Sequence, residues 1–337
     1  MSKTVSPNVP SRDAPPLAET APTGRSARLV VMLVALALLL AAPFFVYPVF
    51  LMNLICFALF ACAFNVLLGY TGLLSFGHAA FFGGAAYFTA HAVKEWGLSP
   101  ELGILTGVAG AALLGLIMGY FAIRRQGIYF SMITLALSQM FFFFCVQVPF
   151  THGEDGIQSV PRGHLFGLVD LDRPLGMYYT VAGIFVIGLF FIWRFVHSPF
   201  GMILRSIREN EQRAISLGYS VARYKLGAFV FSASLAGLAG AVKALVFQFA
   251  TLTDVAWQMS GEVILMTLLG GIGTMFGPIF GAALVIALGN YLATTGFPVT
   301  IITGLVFMVC VILFRRGLVG EFNASRLAQK LGLSDRS

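Results

Sequence analysis

Polar and apolar positions along this chain separate into long blocks and do not alternate. Apolar runs near or above the ~20 residues that carry a helix across the hydrocarbon core lie at Leu29 to Tyr47, Phe50 to Leu68, Leu102 to Ile123, Ile128 to Val148, Met177 to Trp193 and Leu226 to Phe249. A barrel strand would show polar and apolar residues in turn over ~10 positions, whereas "VVMLVALALLLAA" is apolar on every side. Because no water pairs the backbone at that depth, such runs predict helices.

The predicted spans are 29–47, 50–68, 78–93, 102–123, 128–148, 177–193 and 226–249. Beyond them Ser260 to Leu292 is ambiguous. There "VILMTLLGG" is too short to cross alone and "GGIGTMFGPIFGAALVIALG" is laden with glycine. A broken or partly re-entrant pair therefore reads as well as two full helices. A second glycine-rich stretch, "GYTGLLSFGHAAFFGGAAY" (Gly69 to Tyr87), has a similar texture. Phe76-Gly77 and Gly83-Gly84-Ala85-Ala86 stand against Phe276-Gly277 and Gly281-Ala282-Ala283. The likeness reads either as tight packing through small residues or as an internal repeat around a transport path. Gly83, Gly84, Gly277 and Gly281 are the expected positions of close helix approach.

The polar blocks set the topology. The first 28 residues are rich in Pro and Ser and have no core to bury, so residues 1–28 are expected to be a disordered cytoplasmic tail. The polar lead is long for a signal peptide and the run after it approaches spanning length, which favours an uncleaved first span. Lys and Arg gather in that tail, at Arg124 and Arg125, between Arg194 and Lys225, and from Arg315 onward, 17 of the 21 in all. The positive-inside rule makes these zones cytoplasmic, puts both termini inside and forces an even number of spans. Ten satisfies it, with eight as the fallback. The expected division is the tail 1–28, a transmembrane domain 29–316 and a cytoplasmic C-terminal tail 317–337. Pro149 to Gly176, with four acids against two arginines and many turn formers, is read as a non-cytoplasmic loop.

Composition agrees. The chain is 58% hydrophobic and 10% charged, with 33 phenylalanines in 337 residues; a soluble domain runs nearer half apolar and about a quarter charged. The fold class is an all-α, polytopic helical membrane protein. The net charge of +7 is spent on orientation and is no nucleic-acid footprint. Cys56, Cys62, Cys145 and Cys310 all lie in apolar runs, without the paired spacing or nearby histidines of a metal site, and read as small core residues.

No catalytic constellation stands out. Ser75 and His78 are three apart and could share a helical face, but no acid is near to orient the imidazole. There is no HExxH and no GxxxxGK[ST] loop, so if ATP drives this protein another subunit binds it. Lys243 and Glu262 are the main ionisable residues within spans, each near an outer end where it can snorkel. Asn65, Ser75, Gln139, Gln147, Gln248 and Asn290 either line a path for a neutral or zwitterionic solute or make interhelical hydrogen bonds. Asn65, Ser75, His78, Gln139 and Glu262 form the candidate translocation path.

One stretch breaks the apolar pattern. "RSIRENEQRAISLGY", Arg205 to Tyr219, places five charged side chains within nine residues. Ser198 and Pro199 signal a helix start and Gly218 a left-handed stop. Arg205 with Glu209 and Glu209 with Arg213 are i,i+4 pairs, while Leu204, Ile207, Ala214 and Leu217 offer an apolar strip. The segment reads either as a solvated anchor or as a short cytoplasmic helix that docks into a partner's groove.

From about Asn53 to Arg316 the chain resembles the permease subunits of bacterial ABC importers for branched-chain amino acids, and within them the larger of the two paired permeases. The likeness rests on "GYTGLLSFGHAAFFGGAAY", "RRQGIYFSMITLALSQ", "THGEDGIQSVPRG", "SPFGMILRSIRENEQRAISLGYSVARYKLGAFVFSASLAGLAGA" and "GEVILMTLLGGIGTMFGPIFGAAL". It implies that a helix near 199–218, with Arg205, Arg208, Glu209, Asn210, Glu211, Arg213, Ala214 and Gly218, is the coupling helix seated in a cleft of the ATPase subunit. Glu211, Ala214 and Gly218 fall on the Glu-Ala-Ala then Gly motif of such importers, which the chain leaves at Gln212 and Arg213. The resemblance further implies a second homologous permease, two ATP-binding subunits carrying ATP and Mg, and a periplasmic solute-binding protein. This chain itself is expected to bind no cofactor and no metal. The implied activity is translocation of leucine, isoleucine or valine across a bacterial inner membrane, with no reaction catalysed by this chain and no partner but protein and lipid. Related permeases serve urea, short amides or aromatic acids. A self-sufficient secondary transporter would need a coupling acid or pore ring, and neither is visible.

Overall fold

The computed structural model describes residue 34, residues 36–165, 167 and 169–295, and scattered positions between 301 and 309. The two expected tails, the start of the first predicted span and Cys310 lie outside the described residues.

Helix α1 (Pro48–Thr71) opens with Pro at its first position and stops at Gly72, whose φ of 73° lets its N–H reach the Leu68 carbonyl. A short irregular link, 72–77, leads into α2 (His78–Lys94). Helices α3 (Pro100–Ala122) and α4 (Ile128–Gln147) follow, then a long loop, α5 (Pro174–Val196), two short helices α6 (Pro199–Glu209) and α7 (Glu211–Ser216), and the long α8 (Val221–Phe247). The ambiguous region resolves into α9 (Trp257–Gly270) and α10 (Gly277–Thr295), parted by a second irregular link at 271–276. Among the described residues a two-residue antiparallel pairing, β1 (His164–Leu165) with β2 (Val169–Asp170), lies in the loop, with an isolated antiparallel bridge between Ile157 and Ala250.

Among the described residues α1, α3, α4, α5 and α8 are long and apolar enough to cross a membrane, so the chain is an all-α polytopic membrane protein with at least five spans. Helices α1 and α8 form the centre together with the shorter α2; they are 78% and 72% buried over their most apolar windows, against 28% for α4. Small residues allow this. Gly240 of α8 faces the Phe82 backbone and Gly237 faces Ala111 and Ala85, so any side chain there would push the helices apart.

The irregular links satisfy their backbone through side chains, the condition for non-helical chain within a membrane protein. In the first, the Phe76 N–H donates to Thr134 Oγ1 at 3.1 Å and the Gly77 N–H to Ser75 Oγ at 3.1 Å, while Ser131 Oγ donates to the Leu74 carbonyl at 2.7 Å. In the second, Asn65 serves both sides, accepting from the Gly273 N–H at 2.9 Å and donating to the Thr274 carbonyl at 2.8 Å. In the loop between α4 and α5, Arg162 donates to the carbonyls of Leu245 and Val246 at 3.2 and 2.6 Å, placing a cation at the C-terminus of α8.

Candidate functional site

The charged segment opens and closes where its capping residues indicate. Ser198 Oγ accepts the Gly201 N–H at 3.3 Å, Pro199 takes the first position, and Gly218 has φ 87°. It is not one helix, however. Asn210 is extended at φ −154°, ψ 97°, and its side chain accepts the Arg213 N–H at 3.0 Å, capping a second helix. The single helix expected over 199–218 is corrected to α6 and α7. Asn competes with the helical backbone for hydrogen bonds and is among the best N-caps.

The break changes the charge pairing. Neither Arg205–Glu209 nor Glu209–Arg213 is among the ion pairs of the described residues. Glu211 instead meets Lys225 Nζ at 2.7 Å, joining α7 to α8, and Lys225 is only 5% exposed. Arg208 donates through Nη1 to the Gly69 carbonyl at the end of α1, and the Arg205 guanidinium lies 5.1 Å from the Tyr70 ring centre. Leu204, Ile207 and Ala214 are buried, and Ile207 and Ala214 cluster with Val221 at the start of α8. Leu217 departs from the expected strip and is 69% exposed. The outward side of the segment thus mixes Arg213 and Glu209 with exposed Ile215, Leu217 and Tyr219.

The five candidate path residues do not converge on one surface. Asn65, Ser75 and His78 are buried in the packed interior, Gln139 is half-buried on α4, and Glu262 is exposed on α9. His78 Nε2 pairs with Ser232 Oγ at 2.9 Å and not with Ser75; Ser232 in turn donates to the Ala63 carbonyl at 2.6 Å. The rings of Phe64, Phe81 and Phe229 surround that imidazole edge-on. Of the four glycines, Gly83 abuts the Asp254 backbone, Gly277 the Gly270 carbonyl and Gly281 the Met266 carbonyl, whereas Gly84 meets only the side-chain ends of Phe141 and Leu114.

Lys243 does not snorkel. It pairs with Asp254 in the turn before α9, both almost wholly buried, and the rings of Phe57, Phe82 and Phe247 lie 5.6 to 5.8 Å from its ammonium. Such a pair persists inside an apolar bundle only when its partners match closely. Asp254 has no signal in the sequence because "TLTDVAW" looks like a connecting loop. In the sequence Lys225 reads as a topology charge, and Ser232 is hidden in the small-residue run "FSASLAGLAGA". Nothing local signals these partners.

The profile of the family described as branched-chain amino acid transport system / permease component matches residues 48–314, spanning every helix named above. The chain belongs to that family. As a member it is a transport component of the inner membrane, crossed several times, and not a catalyst. Two relatives are the high-affinity branched-chain amino acid transport system permease proteins LivM of Escherichia coli (strain K12) and of Salmonella typhimurium (strain LT2), at 29% and 28% identity. In each case the match covers 66% of this chain and 58% of the relative. No solved structure matches the chain.

Proposed function

We propose that this permease is one half of a heterodimeric pore in an ATP-driven importer, and that it moves leucine, isoleucine or valine inward. In this reading it crosses the membrane ten times with both termini in the cytoplasm. A second homologous permease completes the pore, two ATPase subunits supply the drive with ATP and Mg, and a periplasmic protein delivers the solute. The names of the LivM relatives support the solute class. Close approach at Gly83, Gly277 and Gly281 supports their role as packing positions, and exposed Glu262 is the path candidate with a face free to meet the second permease.

The observation that carries the proposal is the form of the charged segment. A solvated anchor needs charge alone, yet 199–218 is capped at Ser198, Asn210 and Gly218, tied to the bundle by Arg208 and Glu211, and presents Ile215, Leu217 and Tyr219 outward. An ordered helical element with apolar residues on its free side fits a groove on a partner. The test is ATP-dependent uptake by the complete complex in vesicles, across branched-chain and aromatic amino acids, urea and short amides. Uptake led by leucine, isoleucine and valine is expected. Transport of amides alone would replace the solute, and uptake without ATPase subunits would overturn the class.

A further inference from the structure

Three ties around the coupling segment describe a joint. Arg208 sits where three pieces of backbone meet: its guanidinium donates to the Gly69 carbonyl, its aliphatic stem lies against left-handed Gly72, and the same guanidinium reaches the 271–276 link near Gly273. That link packs directly on Gly69 and is clamped to α1 by Asn65. So α6 is fixed to the end of α1 and, through it, to the turn between α9 and α10. On the other side of Asn210, Glu211 and Lys225 fix α7 to the start of α8. Between the two anchors the chain is extended for a single residue, Asn210. The other charged groups of the segment, Arg205, Glu209 and Arg213, make none of these ties; Arg205 rests on Tyr70, and Glu209 and Arg213 face outward.

We infer that Asn210 is a hinge between two struts, and that Glu211 acts within this chain through Lys225 and not as a contact to the ATPase. Pushing on the exposed side of α7 then turns α8 relative to α1 and the 271–276 link, because the polar tie of α7 is to α8 and that of α6 is to α1. Ile207 and Phe200 of α6 meet α8 through apolar contacts alone, which can slide. Helices α1 and α8 are the most buried of the five long apolar helices, so a small rotation at the joint reaches much of the packing interface. Arg208 and Lys225 are positioning residues in this scheme. The scheme rests on the importer reading above.

Charge reversal tests it in the assembled complex. E211K and K225E each place two like charges at the joint, while the double variant restores an ion pair in the opposite sense. Each single variant is expected to keep its ATPase subunits and its ATP hydrolysis, yet to lose leucine uptake roughly tenfold, within the range by which coupling free energies act. The double variant is expected to recover most of that uptake. Amide hydrogen exchange supplies a readout independent of transport: residues 211–216 exchange faster in each single variant and return to wild-type rates in the double. Loss of bound ATPase in E211K with normal uptake in K225E would show that Glu211 faces the ATPase, and would overturn the inference. A double variant no better than the worse single one would overturn it too. If the exchange pattern holds while the wild-type complex shows no ATP-driven uptake, the joint is real but transmits nothing, and it is the importer reading that fails.

Discussion

Asn65 shows how much one side chain settles inside a bilayer. Its amide satisfies an N–H and a carbonyl of the 271–276 link at once, at 2% exposure. Asn65→Ala removes this partner from both half-buried groups, and a fully buried unsatisfied group costs about 1–3 kcal/mol, which bounds the loss at each. The purified complex should therefore melt several degrees lower on a thermal unfolding curve, and an unchanged Tm would show that water replaces the amide. The Lys243–Asp254 pair makes a second case. Asp254→Asn strands a buried cation, a loss of about 3–5 kcal/mol, so the amount of folded permease in membranes should drop. Replacing both partners, Lys243→Met with Asp254→Leu, removes the stranded charge and should recover it. Equal losses in the single and double variants would mean that the charges themselves, and not their balance, are required. The sequence pointed to Asn65 as polar within a span but was silent about its partners, which lie more than two hundred residues away.

At the scale of elements, glycines that looked alike in the sequence divide by what they face. A side chain at Gly83, Gly277 or Gly281 meets backbone, which cannot move aside, while one at Gly84 meets flexible tips 3.0 to 3.2 Å away. Overpacking costs about 1–3 kcal/mol even where side chains yield. Leu at Gly83, Gly277 or Gly281 should thus abolish co-purification with the second permease, and Gly84→Ala should be tolerated. Comparable yields from all four would mean that these contacts relax. Gly218 tests the proposed coupling role of 199–218 in another way. No atom lies within 4 Å of a Cβ built there, so Gly218→Val is opposed only by its φ of 87°, a strain of about 1–3 kcal/mol. Insertion should be normal and ATP-driven uptake should fall, with Gly218→Asn milder because Asn tolerates that conformation. Wild-type uptake in the Val variant would reduce the segment to an anchor. Its two ends were legible from Ser198, Pro199 and Gly218. The break at Asn210 was not, because an asparagine within a helical pattern announces a cap only when the chain turns there.

For the whole molecule the decisive expectation is orientation. The loop 149–176 carries acids and the segment 199–218 carries arginines, so they should lie on opposite sides of the membrane. Ser159 and Ser206 are both exposed, which makes single cysteines at these positions fair reporters. An impermeant maleimide added outside intact cells should label Ser159→Cys and spare Ser206→Cys. Equal labelling would undo the topology and, with it, the cytoplasmic place of the coupling segment.

Residue type alone determined the membrane class and the approximate limits of α1 to α5 and α8, and it sets the expected side of each polar block. These follow from hydropathy and charge, which add up locally along the chain. What the sequence could not separate was the centre of the bundle from its rim. The best windows of α8 and α4 have the same mean hydropathy of 1.8, yet α8 is 72% buried and α4 only 28%. Lipid tails are as apolar as leucine, so hydropathy does not distinguish a helix facing protein from one facing lipid. Only tertiary packing decided that, through glycines set against backbone and through pairs such as Glu211 with Lys225 and Lys243 with Asp254, whose partners become neighbours when the helices assemble.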